Sequence, residues 1–238
     1  VIVCTQAVSE ITLMNSPAKF IDHTLLRADA TDADIARLCE EAVECGFASV
    51  CISPCFVAQA NRLLYGSEIA VGTVVGFPLG YQTTAAKVFE AHQAIELGAD
   101  EIDMVINLGA ARAADYEYVK EDIRRVIAVA ETALIKVIIE CCLFGDEVKR
   151  RLTEIVAVSG AGYVKTSTGF AASGATVEDV SLLYKTASAR IKVKAAGGIR
   201  DWPACKALLT AGASRIGTSA GVVIMQQWQK ESAGLPCR

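Results

Sequence analysis

Gly160-Ala161-Gly162-Tyr163-Val164-Lys165 sets a glycine and small residues ahead of a short apolar run that ends on a charge. The same cadence returns at Gly46-Phe47-Ala48-Ser49-Val50-Cys51, Gly98-Ala99-Asp100-Glu101-Ile102-Asp103 and Gly212-Ala213-Ser214-Arg215-Ile216-Gly217. The four starts lie 52, 62 and 52 residues apart, each interval being two βα units long. Filling in the β-rich stretches around them gives eight expected strands: 20–22, 49–52, 69–76, 101–106, 134–140, 162–165, 191–195 and 214–217. A helix signal sits in each gap. Thr31 is an N-cap with Asp34 three residues on, and Ile35, Leu38, Cys39, Ala42 and Val43 form a helical stripe closed by Gly46. Val119, Ile123, Val126, Ile127 and Ala130 repeat the stripe, Thr176 and Asp179 open a helix with Val180, Leu183 and Tyr184, and Asp201 opens another at Trp202-Pro203. Eight β-then-α units without a Pro/Ser-rich linker predict α/β architecture as a single (β/α)8 TIM barrel rather than an open doubly wound sheet. The barrel is expected over residues 17–230. Residues 1–16 are set as an N-terminal extension, a short helix capping the barrel's bottom, and 231–238 as a C-terminal tail.

In such a barrel a layer of four inward side chains comes from alternate strands, and chemistry sits at the C-terminal face. The residues closing the four echoes are Cys51, Asp103, Lys165 and Gly217, so a thiol, a carboxylate, an amine and a gap are expected in one layer. A lysine on an apolar strand is costly to desolvate without a purpose, although a strand-end lysine can also reach solvent. Lys194 ends the neighbouring expected strand, ~4.8 Å away, so two amines can sit side by side. Like charge and burial both disfavour protonation. Lowering a lysine from ~10.4 by about three units takes about 4 kcal/mol, and the neutral amine is then a nucleophile for carbonyl carbon. Asp103 is placed to pair with Lys194 and shuttle protons, with a purely structural ion pair as the alternative. Glu101 shares its parity but starts lower on the strand.

Turns at Thr168-Gly169, Gly197-Gly198 and Gly217-Thr218-Ser219 follow the sixth, seventh and eighth strands, where barrel enzymes hold phosphate on backbone N–H groups. Thr168, Gly169, Gly197, Gly198, Gly217 and Ser219 are therefore the candidate substrate-binding residues. Cys51 reads as packing, His92 as a core histidine on its helix stripe, and His23 as a structural hydrogen-bonding group. Vicinal Cys141-Cys142 carries no mechanism.

The composition narrows the classes. Of 238 residues 53% are hydrophobic and 21% charged, which excludes a mainly disordered chain. A net charge of −4 argues against nucleic-acid binding through bulk charge, and no apolar run approaches the ~20 residues of a membrane span. Nine cysteines without a CxxC pair or framework spacing suit a reducing compartment, the cytoplasm, and two histidines are too few for a His-rich metal site. The start Val1-Ile2-Val3-Cys4 does not read as a signal peptide.

The blocks Asp22-His23-Thr24-Leu25-Leu26, Val74-Val75-Gly76-Phe77-Pro78-Leu79-Gly80, Glu101 to Asn107, Val164 to Gly169 and Lys194 to Ile199 resemble, in order, the signature blocks of the deoxyribose-phosphate aldolase family. The resemblance implies a metal- and cofactor-free class I aldolase that cleaves 2-deoxy-D-ribose 5-phosphate to D-glyceraldehyde 3-phosphate and acetaldehyde. It implies Lys165 as the Schiff-base lysine, Lys194 as the lysine that perturbs it, Asp103 as the proton-transfer group, Gly169, Gly198 and Ser219 at phosphate positions, and a homodimer. The chain departs from that pattern with Ala195 in place of a frequent Pro, Ala220 in place of a second Ser, Cys141 in place of Thr, and no terminal Tyr, which leaves the proton relay at the enamine carbon open. Three competing readings stand beside this one: a Schiff-base aldolase for another sugar phosphate, a phosphate-binding sensor without catalysis, and a metal-dependent aldolase.

Overall fold

Eight parallel strands close on themselves in sequence order in the computed structural model, which describes residues 16–130 and 133–234. The strands are β1 Ile21–Leu25, β2 Ser49–Ile52, β3 Ala70–Val75, β4 Glu101–Val105, β5 Leu134–Ile138, β6 Tyr163–Lys165, β7 Lys192–Ala196 and β8 Arg215–Thr218. They alternate with α1 Asp32–Cys45, α2 Val57–Leu63, α3 Thr84–Glu96, α4 Tyr116–Val129, α5 Asp146–Ser159, α6 Val177–Ala187, α7 Trp202–Thr210 and α8 Gly221–Ser232. Pairing of Ile21 with Ile216 and Asp22 with Gly217 joins β1 to β8 and seals the ring. The expected fold class, a (β/α)8 barrel, is the observed one. The expected N-terminal capping helix lies almost wholly outside the described residues.

Local signals explain where the helices start. The Thr31 hydroxyl accepts from the Asp34 amide while the Asp34 carboxylate accepts from the Thr31 amide, a reciprocal cap that satisfies two otherwise orphan donors. Thr83, Asp115, Thr176 and Asp201 cap α3, α4, α6 and α7 in the simpler one-way form. Each helix turns its apolar stripe to the outer face of the sheet. Ile35, Leu38 and Ala42 of α1, Val119, Ile123 and Val126 of α4, and Val180 and Leu183 of α6 are all buried there. The hydrophobic core is thus a sleeve between sheet and helices, which leaves the inside of the barrel free for other residues.

Two details differ from the sequence reading. β1 runs on to Leu25 rather than ending at residue 22, because His23, Thr24 and Leu25 pair with Val50, Cys51 and Ile52. His92 is exposed rather than in the core, lying 3.6 Å from Glu96. The face of α3 that packs inward carries Lys87, Ala91 and Ala94, the two alanines letting the helix lie close to the sheet, and His92 is one residue off that stripe.

Candidate active site

Strand register arranges the barrel interior in tiers. Asp103 on β4 lies beside Lys136 on β5, and Lys165 on β6 lies beside Lys194 on β7. Counting alternate residues along each strand gives a lower tier of Ser49, Glu101, Tyr163 and Arg215, and a middle one of Asp22, Gly72, Lys136 and Lys194. An upper tier of Cys51, Asp103, Lys165 and Gly217 lies above them. Barrels ordinarily fill these tiers with branched aliphatics. Here seven of the twelve positions are ionisable Asp, Glu, Lys or Arg, and each is at most 9% exposed.

Asp103 is the hub. Its Oδ2 accepts from Lys165 at 2.6 Å and from Lys194 at 2.6 Å, and its Oδ1 from Lys136 at 2.9 Å. Lys194 also reaches Asp22 at 2.5 Å, and Lys136 reaches Glu101 at 2.6 Å. Arg215 forks between Asp22 at 2.6 Å and Glu101 at 2.5 Å. Lys165 therefore differs from its neighbours in having one carboxylate partner, which two other ammonium groups share.

The electrostatics follow from that geometry. Burial disfavours the ammonium of Lys165, the repulsion of Lys194 adds to it, and one shared carboxylate does not offset both, so its pKa is pushed down. Burial acts on Lys194 and Lys136 too, but two carboxylates around Lys194 and three around Lys136 outweigh it and hold both above the ordinary lysine value. Burial alone would lift the Asp103 carboxyl; the three ammonium groups overcome it and keep the group well below the usual carboxylate range. The Cys51 thiol, 4.0 Å from Asp103, is pushed up by burial and by that carboxylate, which leaves it a packing group rather than a thiolate.

Above the upper tier opens a cavity of ≈ 410 Å³. Lys165 is on its floor, and Thr168, Gly169, Gly197, Gly198, Gly217 and Ser219 are all in its wall, together with Arg27, Phe170 and Arg200. The turns after β6 and β7 touch through backbone: a Cβ on Gly197, whose φ is +88°, would sit 2.9 Å from the Gly174 Cα and 3.2 Å from the Gly169 Cα. Only residues without side chains bring these two turns so close. The N-terminus of α8 follows Ser219, adding its amides and dipole at the same rim. The Arg27 guanidinium is occupied by Asp29 and Asp34, whereas Arg200 is exposed and in no ion pair among the described residues.

Several groups here escaped the sequence reading. Lys136, Asp22 and Arg215 complete the charged interior, and Glu101 belongs to it as the anchor of Arg215 and Lys136. Glu140, buried with a left-handed backbone at φ +51°, receives the Thr168 amide at 3.3 Å and its hydroxyl at 2.5 Å. The Thr168 hydroxyl is thus committed to Glu140 as a donor and to the Phe170 amide as an acceptor. His23 points the other way, its Nε2 2.7 Å from Glu41 and its ring against Phe47, outside the barrel interior.

Comparison with known proteins follows the same lines. The DeoC/LacD family aldolase model matches residues 17–230. A deoxyribose-phosphate aldolase of Syntrophotalea carbinolica is 57% identical, covering 91% of this chain and 98% of its own length. One from a Geobacillus strain is 54% identical, with 89% and 96% covered. The solved deoxyribose phosphate aldolase of Aeropyrum pernix superposes with a TM-score of 0.86 at 32% identity, over 91% of this chain and 94% of that one.

Proposed function

The chain belongs to the DeoC/LacD family of aldolases, and we propose that it works as a class I, Schiff-base enzyme with Lys165 as the nucleophile. Its reaction is that of a deoxyribose-phosphate aldolase, the cleavage of 2-deoxy-D-ribose 5-phosphate to D-glyceraldehyde 3-phosphate and acetaldehyde. One observation carries the assignment of the nucleophile: of the buried cations beneath the cavity, Lys165 is the one that opens into it and the one least compensated by carboxylate.

The neutral Nζ of Lys165 attacks C1 of the open-chain sugar phosphate and forms a carbinolamine. The Lys194 ammonium, hydrogen-bonded to the same Asp103 oxygen, delivers a proton through that carboxylate so that the hydroxyl leaves as water. The iminium then withdraws electrons from C2. The C2–C3 bond breaks, its electrons forming the enamine, as the 3-hydroxyl gives its proton back through Asp103 to the Lys194 amine, and the phosphorylated three-carbon aldehyde departs. Protonation of the remaining enamine at C2 and hydrolysis of the imine release acetaldehyde and return the free amine. Asp103 passes the proton on and returns at once to the carboxylate, the form that its strongly depressed pKa favours.

The turn amides of Gly169, Gly197, Gly198, Gly217 and Ser219 hold the phosphate at the rim of α8, with Arg200, which is in no ion pair among the described residues, as the cation beside them. Thr168 contributes by shaping its turn through Glu140. We further assign the enzyme to the cytoplasm, which the seven free cysteines of the described residues support. Among those residues no helix is long and apolar enough to cross a membrane. A homodimer is the expected assembly, and sedimentation equilibrium tests it.

The experiment for the nucleophile is borohydride reduction in the presence of acetaldehyde, followed by peptide mass mapping. A two-carbon adduct on Lys165, lost in Lys165→Leu, is the expected result. An unmodified Lys165, or an adduct on Lys194, refutes the assignment. Loss of activity with chelator, in place of adduct formation, identifies a metal-dependent enzyme.

A further inference from the structure

A Schiff base needs a nucleophile and a proton relay, yet the charged interior continues a full tier below both. Arg215 lies on the lower tier, next to Lys194 in register, and faces Asp22 of β1, Glu101 of β4 and the ring of Tyr163 on β6, 5.9 Å from its guanidinium carbon. Glu101 takes both Arg215 and Lys136. Neither residue lines the cavity, and each is at most 9% exposed. A pair of this kind costs desolvation, and apolar side chains of similar volume would fill the tier without that cost.

Counting charges gives the pair a purpose. The connected interior holds three carboxylates, Asp22, Glu101 and Asp103, and four basic groups, Lys136, Lys165, Lys194 and Arg215. With three cations the enclosed network is neutral; with four it carries an uncompensated charge in a low-dielectric enclosure. Arg215 does not lose its proton, Lys194 holds two carboxylates at hydrogen-bonding distance, and Lys136 holds two with a third at 3.7 Å. The deficit falls on the group with one shared partner. We propose that Arg215 and Glu101 are positioning residues which fix the charge of the barrel interior from below, so that Lys165 is the member left neutral. They act through Lys136, Asp22 and Asp103, and touch neither substrate nor the reacting amine. Around Lys165 itself the facing groups are Asp103 of β4, Cys51 of β2 and Lys194 of β7, with Lys136 of β5 across the shared carboxylate.

This rests on Lys165 being the nucleophile, so the test reads that amine directly. The rate of acetaldehyde adduct formation on Lys165, quenched with borohydride and followed by peptide mass, is measured against pH. Wild type is compared with Arg215→Met, Arg215→Lys and Glu101→Gln. A unit charge removed on the order of 10 Å away moves the midpoint by about one pH unit at an effective dielectric of ~20. Arg215→Met leaves an anionic excess and moves the midpoint up by that amount; Glu101→Gln leaves a cationic excess and moves it down; Arg215→Lys restores it. Midpoints that stay put, or move the same way in both variants, overturn the proposal, since a packing defect lowers the rate without shifting a titration in opposite senses. If Arg215→Met does not fold, Glu101→Gln decides alone, a downward shift supporting the inference and an unchanged midpoint refuting it. A wild type that forms no adduct on Lys165 at any pH defeats the nucleophile assignment and this inference together, whereas a wild-type adduct with unmoved midpoints defeats the inference only.

Discussion

Replacing Lys194 with methionine removes the ammonium that shares an oxygen with Lys165 while keeping most of the side-chain volume. Two contacts of 2.6 Å to one oxygen keep the nitrogens no more than about 5 Å apart, where like unit charges repel by about 3 kcal/mol at an effective dielectric of ~20. That is about two pKa units on Lys165. The substitution also frees Asp103 and Asp22 to stabilise the Lys165 ammonium, which acts in the same direction. The neutral fraction of Lys165 at pH 7 therefore falls by up to about 100-fold, and with it the rate of adduct formation with acetaldehyde. Because the lesion is in protonation, the rate returns as pH is raised by about two units, a recovery that simple loss of a proton donor would not give. Borohydride-quenched time courses at several pH values, with circular dichroism to establish folding, measure this. A rate that is unchanged at pH 7, or depressed equally at every pH, refutes the electrostatic argument.

Asp103→Asn leaves three buried amines without their common anion and is expected to destabilise the fold by about 3 kcal/mol or more in denaturant titrations, besides abolishing the reaction. The Asp103 and Asp22 carboxyls are depressed in the folded state, so their stabilisation is complete above the ordinary carboxylate range and is lost only as pH falls through their lowered values. Acid unfolding of wild type should accordingly set in below pH ~4, and that of Asp103→Asn at higher pH. Glu140→Ala strips the Thr168 amide of its acceptor, at a cost of about 1–3 kcal/mol. It is expected to raise KM for the phosphorylated sugar while leaving cleavage of unphosphorylated 2-deoxyribose little changed, and an equal loss on both substrates contradicts the positioning role. Gly174→Ala puts a Cβ 2.0 Å from the Gly197 carbonyl oxygen, so the two phosphate turns must part. Inorganic phosphate affinity, read by calorimetry, should drop with the barrel still folded.

Much of this architecture is written in short-range signals. The caps at Thr31, Thr176 and Asp201 state where helices begin, and the recurring glycine cadence marks the even-numbered strands. The upper tier is legible because period-two alternation along each strand carries its parity, so Cys51, Asp103, Lys165 and Gly217 fall together by counting alone. The middle tier is not, because it depends on how odd strands slide against even ones; the lower tier shares the parity of the upper one, but nothing local says that its charges are enclosed. Lys136 in Leu134-Ile135-Lys136-Val137-Ile138 and Lys192 in Ile191-Lys192-Val193-Lys194 look alike as sequence. Register buries the first beside Asp103 and leaves the second exposed at the barrel's lower rim. Arg215 reads as a charge near a strand start, and its two carboxylate partners are 193 and 114 residues away. Glu140 depends on a left-handed backbone that no local pattern announces. His92 shows the reverse error, a residue on an apolar-looking stripe whose helix packs on its alanines instead.

The measurement closest to the centre of this account is a pH titration of Lys165 itself, by ¹⁵N-detected NMR of the side-chain nitrogen in lysine-labelled protein. A resonance that titrates well below the ordinary lysine midpoint of ~10.4, and that moves back toward it in Lys194→Met, is the expected outcome. An Nζ that stays protonated through the neutral range and titrates with the exposed lysines contradicts it.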